Sequence, residues 1–178
     1  IEPHVVATTP FARIEAIVAH KGKISNILIE GLDPATAAGV VRIENRVVAG
    51  PSEVINHLRG HQTYIGKSLA RKMDLKVGDT FAVVVPQPSS DSVRSFVPKK
   101  GSFMVTGILD LGKYEFDERM VIASLPTVQE LGGIGSGITG VRLRMADDFA
   151  ALTQVPQLAA QLGPSFVSMS WFDVNQNL

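Results

Sequence analysis

The sequence predicts an α+β fold, and three observations carry that prediction. β-branched and aliphatic runs come in consecutive pairs, 13–18 with 24–29 and 80–85 with 103–109. Helical spacing is confined to a few shorter segments set among them. The composition is 45% hydrophobic and 19% charged over 178 residues, which suits one packed domain, or two small subdomains sharing a core.

The first pair of strands, Arg13 to Val18 and Ile24 to Ile29, is joined by His20, Lys21, Gly22 and Lys23, a turn sequence. Gly31-Leu32-Asp33-Pro34 ends the second strand, because Asp before Pro initiates a turn. Residues 35–58 are mixed, with a short strand expected near Val40 to Ile43 and a helical turn from Ser52 to Leu58 capped by Ser52. Gly66 to Leu75 places Leu69, Ala70 and Met73 at helical spacing, and Lys76-Val77-Gly78-Asp79 closes that helix. Thr80 to Val85, Phe103 to Leu109 and Met120 to Ala123 read as strands. Leu125 to Leu131 is a short helix opened by Pro126. Thr139 to Met145 alternates, with Val141, Leu143 and Met145 on one side and Arg142 and Arg144 on the other. Asp147 and Asp148 cap a helix from Phe149 to Leu162, which Gly163 and Pro164 close, and a last strand is expected over Phe166 to Phe172.

Composition removes several function classes. Seventeen Lys plus Arg balance seventeen Asp plus Glu, leaving no positive surplus for a nucleic-acid backbone. The chain has no Cys, hence no disulfide, thiolate metal site or Cys nucleophile. The longest apolar stretch, Phe81 to Val85, is far short of the roughly 20 residues of a membrane-spanning helix. The ends, at Ile1 and Leu178, read as boundaries of a piece cut from something longer.

Motifs that carry chemistry fail on spacing. Gly60 and Gly66-Lys67-Ser68 imitate a phosphate loop, but five residues separate the glycines where four are needed, and no strand is expected before them. Gly135, Gly137 and Gly140 follow a helix and precede a strand, the reverse of a dinucleotide-binding turn. His57 and His61 are four apart, yet Leu58 stands where a zinc protease needs Glu. Glu115 and Asp117 sit in an acidic-aromatic turn and offer two cation ligands, against the plainer reading of a tight turn anchored by Tyr114. A small metal-dependent enzyme using Glu115 and Asp117 is thus the weakest of the functional readings. No catalytic residue, cofactor or metal is assigned.

The remaining feature is the segment from Pro86 to Gly101, too long for a tight hairpin turn. Val93, Phe96 and Val97 are apolar among Ser and Pro, with Arg94, Lys99 and Lys100 around them. Such a segment either docks another protein through an apolar tip with a basic rim or folds Phe96 and Val97 back onto the core.

The ordered motifs Gly31-Leu32-Asp33-Pro34, Ile65-Gly66-Lys67-Ser68-Leu69-Ala70-Arg71-Lys72-Met73, Val77-Gly78-Asp79, Phe103-Met104-Val105-Thr106-Gly107-Ile108, Tyr114-Glu115-Phe116-Asp117 and Ile138-Thr139-Gly140-Val141-Arg142-Leu143 resemble the periplasmic domain of lipoprotein-releasing ABC transporter permeases, the LolC/LolE group. The similarity runs from about His4 to Asn175, and part of it is shared with MacB-type efflux permeases and FtsX-like proteins. The resemblance implies a MacB-like α+β domain in two parts: a Porter-like membrane-proximal part, 1–37 and 125–178, and a mostly-β Sabre-like part, 38–124, carrying a protruding hairpin loop, 86–101. It implies a non-catalytic periplasmic domain of a bacterial inner-membrane protein, with ATP hydrolysis in a separate subunit. The implied partners are a LolA-type lipoprotein chaperone, lipoprotein cargo, a second permease subunit, the ATP-binding subunit and the membrane through transmembrane helices. Its chaperone contacts would be Val93, Arg94, Ser95, Phe96 and Val97 at the loop tip, with Pro98, Lys99 and Lys100 at the base. The alternative within the superfamily is an efflux or mechanotransmission domain that binds a periplasmic adaptor protein.

Overall fold

A computed structural model describes residues 4–88, 96–147, 149–163, 166–170 and 173. The chain divides into two compact units, one of residues 9–142 and one of residues 1–8 with 143–178.

The larger unit is built on a ring of paired strands. β1 (Val5–His20) and β2 (Lys23–Leu32) form an antiparallel hairpin in register from Phe11↔Leu32 to His20↔Lys23. Its turn residues, Lys21 and Gly22, both take positive φ, 45° and 79°, the conformation that matches the twist of the flanking strands. β2 pairs in parallel with β7 (Met120–Ser124), and β7 pairs antiparallel with β4 (Gln62–Gly66). β4 runs parallel to β6 (Phe96–Leu109), β6 antiparallel to β5 (Thr80–Pro88), and β5 returns to β1 through Ile17↔Val84 to Ala19↔Ala82. The pairings therefore close on themselves, a device that removes free edges. β3 (Val47–Ala49) adds to β6, and β8 (Gly140–Met145) lies beside β1.

Period-two alternation sorts the side chains of these strands into two cores. One takes residues from every strand of the ring, among them Val18, Ile29, Ile65, Val83, Val105 and Val121, and packs against α1 (Lys67–Met73) and α3 (Leu125–Gly132). The other uses the opposite face: Leu32, Tyr64, Leu109, Met120 and Ile122 meet Ala37, Val54, Ile55 and Leu58. Tyr64 is fully buried and satisfies its hydroxyl by donating to the Pro51 carbonyl at 2.8 Å. Burial, and then the charge of Glu53, push that hydroxyl's pKa up.

This second core explains two departures from expectation. Val40 to Ile43 is not a strand: Val41 and Ile43 turn onto the second core, and the Val41 N–H closes a turn to Ala37 O at 2.8 Å. Ser52 caps nothing, since the helical turn is a short 3-10 helix at Ile55–His57 that begins behind Val54. The segment is shaped by covering apolar surface, not by its own propensity.

Helix punctuation follows the sequence more closely. α1 ends at Asp74 in the left-handed region, φ 54°. α3 starts behind Ser124, whose hydroxyl accepts from Thr127 N, with Pro126 in its first turn, and ends at Gly133 with φ 64°. Contrary to expectation, a strand does lead into Gly66-Lys67-Ser68: the residues between Gly60 and Gly66 are largely β4 itself, so they cannot form a phosphate cradle.

In the smaller unit, the His4 carbonyl accepts from Ala146 N at 2.8 Å, and the Asp147 carboxylate accepts from Phe149 N at 2.9 Å ahead of α4 (Ala150–Leu162). Asp148, also expected to cap, lies outside the described residues. The strand expected over Phe166 to Phe172 is absent at 166–170, where Phe166, Val167 and Met169 are exposed and Ser170 ties itself to Asp173. Trp171 and Phe172 lie outside the described residues.

Candidate functional site

The segment from Pro86 to Gly101 is less of a loop than its composition predicts. β5 and β6 stay paired through Val85↔Lys99, Pro86↔Pro98, Gln87↔Val97 and Pro88↔Phe96. β1 reaches β5 only at residues 82–84, and β4 reaches β6 only at 104–109. Beyond Val84 and Gly101, then, the two strands pair with each other alone among the described residues, as a two-stranded ribbon. Pro86 faces Pro98, and neither ring nitrogen carries a hydrogen. In an antiparallel ladder such a pair suits a position where the N–H would point away from the partner strand, and Pro88, two residues on, shares that orientation.

The ribbon is fixed at its base. Val85 is buried in the first core. Leu131 of α3 lies so close over Gly101 that a Cβ there would meet its Cδ1 at 3.0 Å. The Lys99 ammonium donates to the carbonyl of Glu130 in the last turn of α3, a carbonyl that also accepts from the capping Gly133 N at 3.1 Å. Lys99 is half-buried, whereas Pro98 and Lys100 are exposed. Phe96 and Val97 belong to β6 by backbone; their side chains, and all of Val93, Arg94 and Ser95, lie outside the described residues.

The acidic-aromatic segment is a helix, α2 (Tyr114–Arg119), not a tight turn. Asp117 is 1% exposed and its carboxylate accepts from Leu111 N at 2.8 Å, while Glu115 is exposed and so is the supposed anchor, Tyr114. The two carboxylates serve different surroundings, and no cluster of metal-ligating residues occurs among the described residues. His57 points its Nδ1 at the Glu53 carbonyl, 2.8 Å away, and His61 packs edge-on to Phe103, so this pair does not converge either.

A charged cluster that the spacing arguments passed over is better built. Glu30, 5% exposed, accepts from Arg13 Nε at 2.6 Å and from Arg142 Nη1 and Nη2 at 2.6 and 2.8 Å. Both guanidinium groups lie over the ring of Phe11, at 5.2 and 4.6 Å from its centroid. Burial would raise the Glu30 pKa, but the hydrogen bonds and charge of Arg142, and then of Arg13, outweigh it and hold the carboxyl below its usual range. β8 accordingly turns its arginine side inward: Arg142 is half-buried, while Val141 and Leu143 are 52% and 41% exposed. The sequence signal was Glu30 itself, an acid inside the apolar run Ile27 to Leu32, which needs a buried cation.

Comparison with known proteins locates the fold. No protein-family model matches the chain. It is 26% identical over 161 residues, 90% of its length, to the lipoprotein-releasing system transmembrane protein LolC of Neisseria meningitidis. It is 24% identical over 99% of its length to LolC of Xylella fastidiosa, and 27% identical over 84% to LolE of Haemophilus influenzae. The chain spans only 35–42% of the length of these curated relatives. Among solved structures, the extracellular domain of the noncanonic ABC-type transporter YknZ from Gram-positive bacteria superposes with TM-score 0.61 at 12% identity, covering 94% of this chain and 83% of that one. The periplasmic region of MacB from Actinobacillus actinomycetemcomitans gives 0.58 at 14%, covering 99% and 77%. The chain therefore has the α+β fold of MacB-like permease domains and is related in sequence to the lipoprotein-releasing permease proteins LolC and LolE.

Proposed function

We propose that this chain is the periplasmic domain of a permease subunit in a lipoprotein-releasing ABC transporter, and that its β5–β6 ribbon docks a LolA-type lipoprotein chaperone. The observation that carries the reading is the ribbon: among the described residues, β5 and β6 continue to Pro88↔Phe96 without another strand beside them. Residues 89–95 connect them, with Val93, Arg94, Ser95, Phe96 and Val97 as the contact tip. Lys100 is exposed for a contact at the base beside Pro98, whereas the Lys99 ammonium is already engaged by α3. The division into a Porter-like part, 1–37 with 125–178, and a Sabre-like part, 38–124, belongs to the same proposal.

The role is mechanical. ATP hydrolysis in a separate subunit moves the transmembrane helices supplied by this chain's own protein and a second permease subunit, and this domain holds the chaperone where the lipoprotein emerges. Holding it there matters because each methylene of an acyl chain released into water costs about 0.8 kcal/mol.

Deleting residues 89–95 in the complete transporter tests this. The expected result is loss of chaperone in a pull-down with transporter assembly intact, and Phe96→Ala should weaken capture in the same direction. Chaperone binding at the wild-type level by the deletion variant would overturn the reading. The fold shared with YknZ and MacB favours a second possibility, an efflux permease domain that binds an adaptor protein. Co-purification of an adaptor without chaperone affinity would decide for it.

A further inference from the structure

We infer that Lys99 is a positioning residue: by holding the C-terminal end of α3 it fixes the direction in which the β5–β6 ribbon leaves the body of the larger unit. The consequence for capture rests on the docking role proposed above; the latch itself does not.

The pairing register puts Lys99 where a latch is needed. Directly opposed residues of an antiparallel pair share a face, so Phe81 with Phe103, Val83 with Gly101 and Val85 with Lys99 form one row along the inner face of the two strands. Phe81, Phe103, Val83 and Val85 are buried in the first core, and Leu131 lies over Gly101. Lys99 takes the next place in the row, at the step where β1 and β4 have both been left behind. Lys100 faces the other way, opposite Val84, and is exposed. The two lysines therefore divide the work: one ties the ribbon down, and the other is presented to a partner.

α3 is matched to this contact. Its last turn carries an acid, Glu130, and no base, so the partial negative charge at its C-terminal end has no cation from its own sequence. Lys99 supplies one from β6, on the carbonyl that the Gly133 N–H also uses. Two strands with no third beside them twist more than those of a wide sheet, so a fixed point just past the core decides how far the tip swings. A tip that points in many directions offers the right one only part of the time, and apparent affinity falls by that fraction.

The test uses the complete transporter in a background without other cysteines, spin-labelled at Ser92→Cys between the strands and at Arg71→Cys on α1; the 178 residues contain no cysteine. Pulsed electron-spin distance measurements without chaperone should give one narrow population. Lys99→Met should make it about twice as wide, and Lys99→Arg should restore it, because a guanidinium also donates to a carbonyl. Lys100→Met should leave the width unchanged. Chaperone capture should fall about three- to tenfold in Lys99→Met, the factor that one charge-assisted hydrogen bond is worth at a half-exposed site, and return in Lys99→Arg. An unchanged width in Lys99→Met, no rescue by arginine, or full capture despite a broadened population would each overturn the inference. A role in stability alone gives a lower urea midpoint in Lys99→Met with the wild-type distance distribution, which also overturns it. Failure of the docking role shows separately, as capture that survives deletion of residues 89–95, and the distance measurement then still decides on the latch.

Discussion

Replacing Glu30 with glutamine tests how the charged cluster holds the larger unit together. Glu30→Gln keeps the size and one acceptor oxygen but removes the charge that faces Arg13 and Arg142. Three charge-assisted hydrogen bonds at 2.6, 2.6 and 2.8 Å are affected. At about 1.5–3 kcal/mol each they would exceed 4 kcal/mol together. Two features reduce that sum: the arginine side chains are 39% and 29% exposed, so water screens them, and the amide oxygen still accepts one bond. The expected loss is about 2–3 kcal/mol at pH 7, a fall in Tm of roughly 5–10 °C for a chain of this size. The assay is urea and thermal unfolding of both proteins at pH 7 and at stepwise lower pH. Because the folded Glu30 pKa lies below its ordinary value of 4.5, its contribution is present above that pH and is lost as pH falls through the folded value. The gap between the two proteins should therefore close in acid. A loss under about 0.5 kcal/mol at pH 7, or a gap that stays constant into acid, would refute the reasoning.

Other substitutions probe the frame around the cluster. Gly66→Ala should destabilise by about 3 kcal/mol in urea unfolding, because its Cβ would lie 2.2 Å from the Asp117 carbonyl oxygen of α2, a backbone atom that cannot step aside. Gly22→Ala meets nothing within 4 Å, so its cost should be purely that of φ +79°, about 1 kcal/mol, seen as a small shift in urea midpoint with unchanged slope. Tyr64→Phe should cost about 1.5 kcal/mol, since it leaves the Pro51 carbonyl without its buried donor. A wild-type midpoint for Tyr64→Phe would mean that water replaces the hydroxyl.

Strands and helix ends were readable because each was written in local chemistry. Lys21-Gly22 and Pro126 act within a few residues of themselves, and the structure places a turn and a helix start at those positions. The segment from 35 to 58 was not readable, because Val41 and Ile43 answer to Leu32, Met120 and Ile122, partners that only the folded ring brings near. The same holds for α2. An acid in an apolar pattern looked like a turn, but Asp117 is buried against the Leu111 N–H, a contact that needs the helix in place first. Length misled over 86–101: composition made it a loop, while strand pairing with its own partner carries β structure to Pro88 and Phe96. The Glu30 cluster joins residues 112 positions apart, which spacing rules cannot see, although a lone acid within Ile27 to Leu32 announces that some cation must come.

Two bare strands are normally an opening for a third from a neighbouring molecule, which zips on through main-chain hydrogen bonds. In the β5–β6 ribbon, prolines 86, 88 and 98 occupy positions where an outward-facing N–H would greet that newcomer, on both sides of the ribbon. The flanks thus lack donors at those steps. The ribbon can stand among crowded proteins without recruiting them into fibres, and whatever it does hold is gripped by side chains, which let go more readily than a ladder does.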